Sequence, residues 1–334
     1  MNVMLTSVGR RAYMVKYFKE VLGNNGKVYV SNSDDKSIAF KYADEKVISP
    51  LIYDKDYIPF LLDFCKKNTI DILISLFDID LLILARNKKR FEEIGTRVIV
   101  SDPQIVEICN DKWKTYLFLK GNGFYAPVSF LNIHEVIEKI AVGKLNYPIV
   151  VKPRYGCGSI SVAIAYDEED LRYLTKKANE DIANSYLKYE SAITENKVLY
   201  QECLKGQEYG ADIINDLQGT TRNVIVRKKL AMRSGETDIA ELVDESSIKG
   251  VLEKLGNITR HIANMDCDVF LVDGIPYILE MNARFGGGYP FSHMGGCNLP
   301  KAIVEWAKGN SVNVDTISAK SGMIGFKEIY ITQL

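Results

Sequence analysis

The chain has 334 residues, with 42 Lys and Arg against 43 Asp and Glu, and a formal net charge of −1. At roughly 100–200 residues per domain, that length suggests two domains, or three if one is small. Hydrophobic residues make up 47% and charged residues 25%, the balance of an ordinary globular protein rather than a disordered or fibrous one. The near-zero charge and the pI of about 6.4 argue against a nucleic-acid binder, which usually carries a basic stripe and a high pI. No apolar run approaches the roughly 18–20 residues that cross a bilayer, and MNVMLTSVGRR lacks the long apolar core of a secretory signal. No membrane association is expected, and a cytoplasmic location is the default. Cys65, Cys109, Cys157, Cys203, Cys267 and Cys297 form no CxxC pair and read as reduced thiols. His134, His261 and His293 are too scattered to hold a metal together. Chemistry therefore falls to Lys, Arg, Asp, Glu and backbone amides.

The first hundred residues alternate strands with helices. VMLTSV (3–8) reads as a strand, and Tyr13, Val15, Phe18 and Leu22 mark a helix ending near Gly23. KVYVSN (27–32), DILISLF (71–77) and TRVIVSD (96–102) read as further strands, the last two separated by a helix carrying RNKKRFEE. Such alternation predicts βαβ units and a parallel sheet. The turns Ser7–Arg11 and Ser31–Asp35 follow strands, at the carboxyl edge where open sheets bind ligands. The first turn, SVGRR, has one glycine where a dinucleotide fingerprint needs GxGxxG, so an NAD-dependent oxidoreductase is disfavoured.

Around Ser101–Pro103 the texture changes. A helix through Trp113, Leu117 and Leu119 ends at Gly121–Gly123, and an amphipathic stretch covers 133–143. YPIVVK (147–152), SVAIAY (161–166), KVLYQECL (197–204) and GADII (210–214) are strand candidates. Asp167 is the expected N-cap of a helix over 167–180, with Asp170 at its third position. Apolar positions 248, 251, 252, 255, 258 and 262 trace one helical face. DVFLVDGIPYILEMN places two apolar runs around Asp273-Gly274, a hairpin signal. A closing helix spans about 299–308 and stops at Gly309. No Pro/Gly-rich linker intervenes, so the domains are expected to pack together.

Four segments carry chemistry. In YPIVVKPRYGCGSIS a strand delivers Lys152 into a loop holding Gly156, Gly158, Ser159 and Ser161, where backbone N–H groups can approach phosphate oxygens. It is not a Walker loop, and alone it reads equally as a Gly-rich turn with a surface lysine. In LYQECLKGQEYG, Glu202 ends a strand and Glu208 follows a short turn; a solvated edge strand is the plainer explanation. In DVFLVDGIPYILEMNARFGGG, pairing across Asp273-Gly274 sets Asp268 near Glu280 on one face, with Asn282 and Arg284 beyond. Two carboxylates and an amide oxygen suit Mg2+ on polyphosphate, although a structural ion-pair network is the alternative. The glycines 286–288 form a loop able to approach a substrate closely. VRKKLAMRSGETD carries Arg233, Glu236 and Thr237 after a basic cluster, which reads either as an exposed basic strand or as a holder of an anionic substrate.

In this order and spacing, IVVKPRYGCGS, YQECLKGQEYG, DVFLVDG and ILEMNARFGGG resemble the ATP-grasp superfamily, most closely its carbamoyl-phosphate-synthase-like group. The resemblance covers essentially the whole chain, and its most specific element is the run Glu280-Met281-Asn282-Ala283-Arg284 with Asp268 upstream. It implies a fold that is α/β and α+β: a parallel-sheet pre-ATP-grasp domain over 1–102 and a two-subdomain ATP-grasp domain over 103–310. The small lid subdomain would span about 113–203 and the C-terminal subdomain about 204–310, with 311–334 an extension packed on the core.

Residue by residue, the resemblance implies that Lys112 contacts the nucleotide and Lys152 reaches its α- and β-phosphates, with the loop at Gly156, Gly158 and Ser159 closing over the phosphates. Glu202 and the backbone of Cys203 and Leu204 would hold adenine, and Glu208 the ribose. Asp268, Glu280 and Asn282 would coordinate two Mg2+ ions, with Mn2+ as a substitute, and Arg284 would stabilise the transferring phosphoryl group. Arg233, Glu236 and Gly287 are candidate substrate contacts. Asp268 is shorter than the Glu or Gln also found at its position in the family, so it is expected to reach one ion. The spacing from Glu202 to Glu208 is one residue shorter than in the synthase, and the chain carries one ATP-grasp unit, so the synthase label implies ancestry. The implied activity is ATP-dependent ligation of a small-molecule carboxylate to an amine through an acyl phosphate, releasing ADP and phosphate. Carboxylate–thiol ligation, carboxylate phosphorylation and a non-catalytic ATP sensor are the alternatives. A homodimer is the default assembly.

Overall fold

Short apolar runs at the N-terminus become a parallel sheet in the computed structural model, which describes residues 1–156 and 160–333. Strands β1 (Val3–Thr6), β2 (Val28–Asn32), β3 (Glu45–Ile48), β4 (Ile72–Ser75) and β5 (Arg97–Val98) lie in the order β3-β2-β1-β4-β5. Every pair is parallel. Helices α1 (Ala12–Leu22), α2 (Tyr57–Lys67) and α3 (Asp78–Glu92) accompany them. The order of connections reverses between β1 and β4, so a crevice opens at their carboxyl ends. The strand expected over 96–102 shortens to Arg97–Val98, because the chain leaves the sheet ahead of Pro103, the first residue of α4 (Pro103–Asn110). Helix α5 (Lys112–Gly121) follows at once, its N-terminus capped by Asp111, which accepts from Trp113 N at 3.0 Å.

A second, antiparallel sheet has the order β6-β9-β7-β8, formed by β6 (Ser129–Phe130), β7 (Ile149–Pro153), β8 (Ala163–Ala165) and β9 (Val198–Glu202). Helices α6 (Ile133–Ala141), α7 (Glu168–Ala183) and α8 (Leu187–Glu190) contribute Val136, Leu171, Ile182 and Leu187 to its core. Asp167 caps α7 by accepting from Asp170 N at 2.8 Å.

The third sheet is larger. Strands β10 (Gln207–Asn215), β11 (Thr221–Arg233), β12 (Glu236–Val243), β13 (Asn264–Val272), β14 (Ile275–Asn282) and β15 (Ile324–Phe326) run antiparallel in the order β14-β13-β10-β11-β12-β15. Helix α9 (Ser246–Thr259) packs on it, and α10 (Tyr289–Met294) and α11 (Leu299–Ala307) follow β14. The C-terminal extension adds β15 to the edge of β12, then runs on exposed through Ile329, Tyr330 and Ile331. Val3, Phe18, Val30 and Ile74 share one hydrophobic core with Phe285, Tyr289, Leu299 and Ile303. The parallel sheet and the C-terminal helices are thus packed together.

The histidines are packing residues or exposed. His261 is fully buried, with Nε2 3.0 Å from the Ile213 carbonyl, and burial pulls its pKa down to about 4. His293 stacks on Tyr17 at 3.6 Å between centroids, and His134 is exposed. Cys65, Cys109, Cys203, Cys267 and Cys297 are free thiols. No helix among the described residues is long and apolar enough to cross a membrane.

Candidate active site

The second and third sheets face each other across a cleft of about 360 Å³. Strand β7 presents Lys152 from one wall, and β9 presents Gln201 and Glu202 before the chain crosses over at Cys203 and Leu204. Glu208, Lys229, Asp268 and Glu280 come from four strands of the other wall, and Lys112 and Gly156 also line the cleft. Lys152 is buried, with Nζ 2.8 Å from Gln201 Oε1, and Gln201 Nε2 donates to Ser129 Oγ at 2.9 Å. Burial, reinforced by Lys112 and opposed by Glu280 and Asp268, pulls the Lys152 pKa down to about 8. Lys112 Nζ donates to the Gly156 carbonyl. Glu202 is tied to β6's approach: its N–H donates to the Val128 carbonyl at 2.8 Å, and its Oε2 accepts from Val128 N at 3.2 Å.

The opposite wall is acidic. Asp268 pairs directly with Glu280 across the hairpin, and a bulge follows at once between Asp268 and Val269. Asp273 (φ 49°) and Gly274 (φ 78°) make the turn in the left-handed conformation that Asp-Gly sequences favour. Lys229 Nζ lies 2.6 Å from both Glu208 Oε1 and Asp268 Oδ1. Burial works against its charge, but the two carboxylates outweigh that and hold the ammonium above its ordinary range. Burial also raises the Asp268 carboxyl; Lys229 opposes the shift and the nearby Asp266 and Glu280 add to it. The Glu280 side chain makes no hydrogen bond or ion pair among the described residues.

Beyond Asp268 and Glu280 the cleft meets a second chamber of about 260 Å³, lined also by Asn282, Arg284, Glu236, Gly287 and Arg11. Here buried charges alternate in sign. Arg284 lies 3.0 Å from Asp78 and 3.0 Å from Asp266. Arg227, wholly buried, lies 2.6 Å from Asp266 and 2.6 Å from Asp212, which also accepts from Ser292 Oγ at 2.6 Å. Between its two arginines the Asp266 carboxyl is held low in spite of burial.

Residues 3–99 match the family model described as PylC-like, N-terminal domain, and residues 109–288 match the ATP-grasp domain. The chain belongs to the ATP-grasp family. Among curated proteins it resembles the carbamoyl phosphate synthase large chain of Methanosarcina acetivorans, 24% identical over 69% of this chain and 22% of that one. The large chain from Sulfolobus acidocaldarius is 23% identical over 83% of this chain and 25% of its own length. This protein thus spans about a quarter of the curated relatives it matches. Among solved structures, the biotin carboxylase domain of Hydrogenobacter thermophilus 2-oxoglutarate carboxylase, in complex with MgADP, ADP and bicarbonate, superposes with a TM-score of 0.75 at 17% identity. That match covers 97% of this chain and 73% of the other. An L-amino acid ligase from Bacillus licheniformis gives a TM-score of 0.64 at 20% identity, covering 91% and 73%.

On this ATP-grasp fold, nine of the residues expected from sequence line the cleft: Lys112, Lys152, Gly156, Glu202, Cys203, Leu204, Glu208, Asp268 and Glu280. Asn282, Arg284, Glu236 and Gly287 line the adjoining chamber. Gly158 and Ser159 lie outside the described residues. Arg233 lines neither space; its guanidinium is bound to Asp238 and to the Lys327 carbonyl.

Two readings change. The basic segment after Val226 is not an exposed strand, since Arg227 and Lys229 are buried. The glycines 286–288 also have a structural duty. A Cβ on Gly286 would fall 2.1 Å from Asp266 Cγ, and one on Gly288 would fall 2.2 Å from Arg227 Nε. They make room for the charge ladder, and Gly287 is the one facing Glu236, whose Oε2 would lie 3.2 Å from its Cβ.

Gln201, Asp266 and Asp78 escaped the sequence reading, and Arg227, Lys229 and Arg11 entered it only as members of a basic cluster and a turn, with no role of their own. Period-two spacing could have found two of them: Arg227 and Lys229 alternate along β11 onto one face. Asp78 and Arg11 carry no local signal, because their partners are 206 and 274 positions away.

Among the described residues no three His, Cys, Asp or Glu side chains converge as a metal cluster. The donor set still fits Mg2+, which commonly takes one or two carboxylates and completes its shell with phosphate oxygens and water. Among the described residues the Glu280 carboxylate has no ion-pair partner, Asn282 follows two positions on along β14, and Asp268 bonds Lys229 through one oxygen, leaving the other clear of it.

Proposed function

We propose that this protein is an ATP-dependent carboxylate–amine ligase that forms an amide through an acyl phosphate and releases ADP and phosphate. The observation carrying this reading is the junction of two spaces at Asp268 and Glu280, with a long cleft on one side and a small chamber holding Arg284 on the other. ATP in the cleft would place its terminal phosphate at the junction. Glu202 and the backbone at Cys203 and Leu204 would face adenine, Glu208 the ribose, and Lys112 and Lys152 the phosphates. Glu280 and Asn282, with Asp268, would hold Mg2+, which supplies charge neutralisation along the polyphosphate. An L-amino acid ligase and an N5-carboxyaminoimidazole synthetase among the structural neighbours agree with this reading.

In the first step a substrate carboxylate oxygen attacks the γ-phosphorus and the bond to ADP breaks. In the second, an amine nitrogen attacks the acyl carbon, phosphate leaves and the amine loses a proton. The protein acts by positioning and electrostatics rather than by a covalent nucleophile. Arg284 meets the transferring phosphoryl group already fixed by Asp78 and Asp266, so little reorganisation is needed. Lys152, buried with a lowered pKa, is fully protonated once phosphate charge is beside it. The small sheet covers the cleft and keeps water from the acyl phosphate.

The test is release of ADP and phosphate from Mg-ATP in pools of acids and amines, with Arg284→Ala as control. Release that needs both an acid and an amine, and that collapses in the control, supports ligation. Release needing only the acid would replace ligation with phosphorylation, and nucleotide binding without release in any pool would replace it with sensing.

A further inference from the structure

The SVGRR turn delivers a side chain to the second chamber that the chemistry above does not use. Strand β1 ends at Thr6, and Ser7 (φ 52°) and Gly9 (φ 48°) turn the chain so that Arg11 opens α1 at the crevice between β1 and β4. The turn is pinned from below. Thr6 Oγ1, Ser7 Oγ and the Tyr57 hydroxyl each donate to Asp80 Oδ2 at 2.9 Å, and Ser75 Oγ donates to its other oxygen. Arg11 Nη1 then donates to the carbonyls of Leu76 and, at 2.8 Å, of Phe285. Both of these partners are neutral and both are reached through one nitrogen, whereas a guanidinium offers five donors.

The other chamber cations are matched by carboxylates: Arg227 by Asp212 and Asp266, Lys229 by Glu208 and Asp268, Arg284 by Asp78 and Asp266. Among the described residues Arg11 is the lining cation with no carboxylate partner. A carboxylate also waits in the chamber. Glu236 accepts from Lys327 Nζ at 2.9 Å through Oε2, while 62% of its side chain stays exposed. Burial opposes its charge, but Lys327, Arg11 and Arg284 hold its carboxyl below the ordinary range, so it is an anion at neutral pH. At about 260 Å³ the chamber is smaller than the ~300–1,000 Å³ typical of drug-sized ligands.

We propose that this chamber binds a free amino acid, its carboxylate held by Arg11 and its ammonium by Glu236. Arg11 is thereby a specificity-determining residue supplied by the parallel-sheet domain. The proposal rests on the ligase reading for its place in a reaction, but not for its test, which reads binding without turnover.

Wild-type protein saturated with Mg2+ and a non-hydrolysable ATP analogue would be titrated with each of the twenty protein amino acids, scored by thermal shift and calorimetry. The best binder would then be repeated as its carboxyl amide and as its N-acetyl derivative. The expected result is saturable binding of at least one free amino acid and a loss of about tenfold or more with either block. Arg11→Gln should reproduce the loss seen with the amide, Arg11→Lys should recover part of it, and nucleotide affinity, measured alongside, should stay within about twofold and certify the fold. Absence of binding by all twenty overturns the proposal, as does equal binding of the blocked forms or of Arg11→Gln. The ligase reading fails separately: it is lost if acids and amines of every class leave ATP unconsumed, whatever the chamber binds.

Discussion

Asp78 and Arg284 stand 206 positions apart in sequence and 3.0 Å apart in space. The first residue of α3, in the parallel-sheet domain, therefore fixes the guanidinium of the ATP-grasp domain that the phosphoryl group would meet. The pair begins a ladder, Asp78–Arg284–Asp266–Arg227–Asp212, in which each arginine is shared by two acids. Removing one member of such a buried set leaves a charge uncompensated, which costs more than the pair itself contributes.

Asp78→Asn removes that charge while keeping the shape. It should lower kcat about tenfold or more, leave the ATP KM within about twofold, and cost ~1–3 kcal/mol of stability. Asp78→Ala should cost ~3–5 kcal/mol. Steady-state kinetics and urea titration read both effects. Unchanged turnover in Asp78→Asn would mean that Arg284 is positioned without the parallel-sheet domain.

The glycine run makes a sharper test of the same ladder. Gly286 and Gly288 lie where an added methyl would collide with Asp266 or Arg227, and neither neighbour can withdraw without breaking an ion pair. Gly286→Ala and Gly288→Ala should each destabilise by more than ~2 kcal/mol, whereas Gly287→Ala, facing the flexible end of Glu236, should stay within ~0.5 kcal/mol. Equal urea midpoints for all three would refute the packing argument.

What the sequence revealed follows from how local each signal is. The Asp268–Glu280 pairing was legible because Asp273-Gly274 fixes the turn and the turn fixes the register. Lys152 and Glu202 were legible because each sits at or near the end of an apolar strand. Arg227 and Lys229 were misjudged because charge normally signals exposure, and burial here depends on acids from two other strands, β10 and β13. Gly210 shows the same dependence: its missing side chain admits Arg227, whose Nε would lie 2.8 Å from a Cβ there. The Arg11 and Asp78 contacts arise only when the two domains dock, so no window of sequence contains them.

Lys152 gives a pH prediction. Its folded pKa, about 8, lies below the unfolded value of about 10.4, so between those values the unfolded chain binds more protons. Its contribution to apo stability therefore rises as pH climbs from about 8 to 10, and Lys152→Met should remove that rise. Nucleotide phosphates favour the ammonium, so ATP binding near pH 8 should take up a proton. Calorimetry in buffers of different ionisation enthalpy would detect it; no buffer dependence, or one retained in Lys152→Met, would assign the proton elsewhere.

Lys229 is the counter-ion of the acidic wall, and its loss should appear in both pH and metal response. Lys229→Met leaves Glu208 and Asp268 unneutralised beside Glu280. The Asp268 carboxyl, already raised, should rise further. A raised carboxyl contributes stability at low pH that is lost as pH climbs through its folded pKa. The variant's deficit against wild type should therefore widen from pH 4 to 7. Mg2+ alone should also raise its Tm more than that of wild type. A Tm gain from Mg2+ no larger than wild type's would indicate that Asp268 and Glu280 do not share a cation.

Tyr53 joins the parallel-sheet domain to the small sheet's α8. Its hydroxyl donates to Glu190 Oε1 at 2.8 Å and its ring stacks on Tyr189 at 4.4 Å between centroids. Beside it, Phe77 meets Tyr186 edge-on at 5.9 Å. Burial raises the Glu190 carboxyl and the Tyr53 hydroxyl partly offsets it, so the bond favours the charged form. Tyr53 and Tyr189 are nearly half exposed, which keeps the contact to about 1 kcal/mol, roughly a fivefold change in any closed population it stabilises. Tyr53→Ala should then raise the ATP KM several-fold and, because water reaches the acyl phosphate, increase ADP formed per amide. Tyr53→Phe keeps the stacking without the bond and should fall between. The ratio of ADP to amide is the deciding measurement: if Tyr53→Ala leaves it at the wild-type value, this contact does not guard the intermediate, and closure must be held elsewhere.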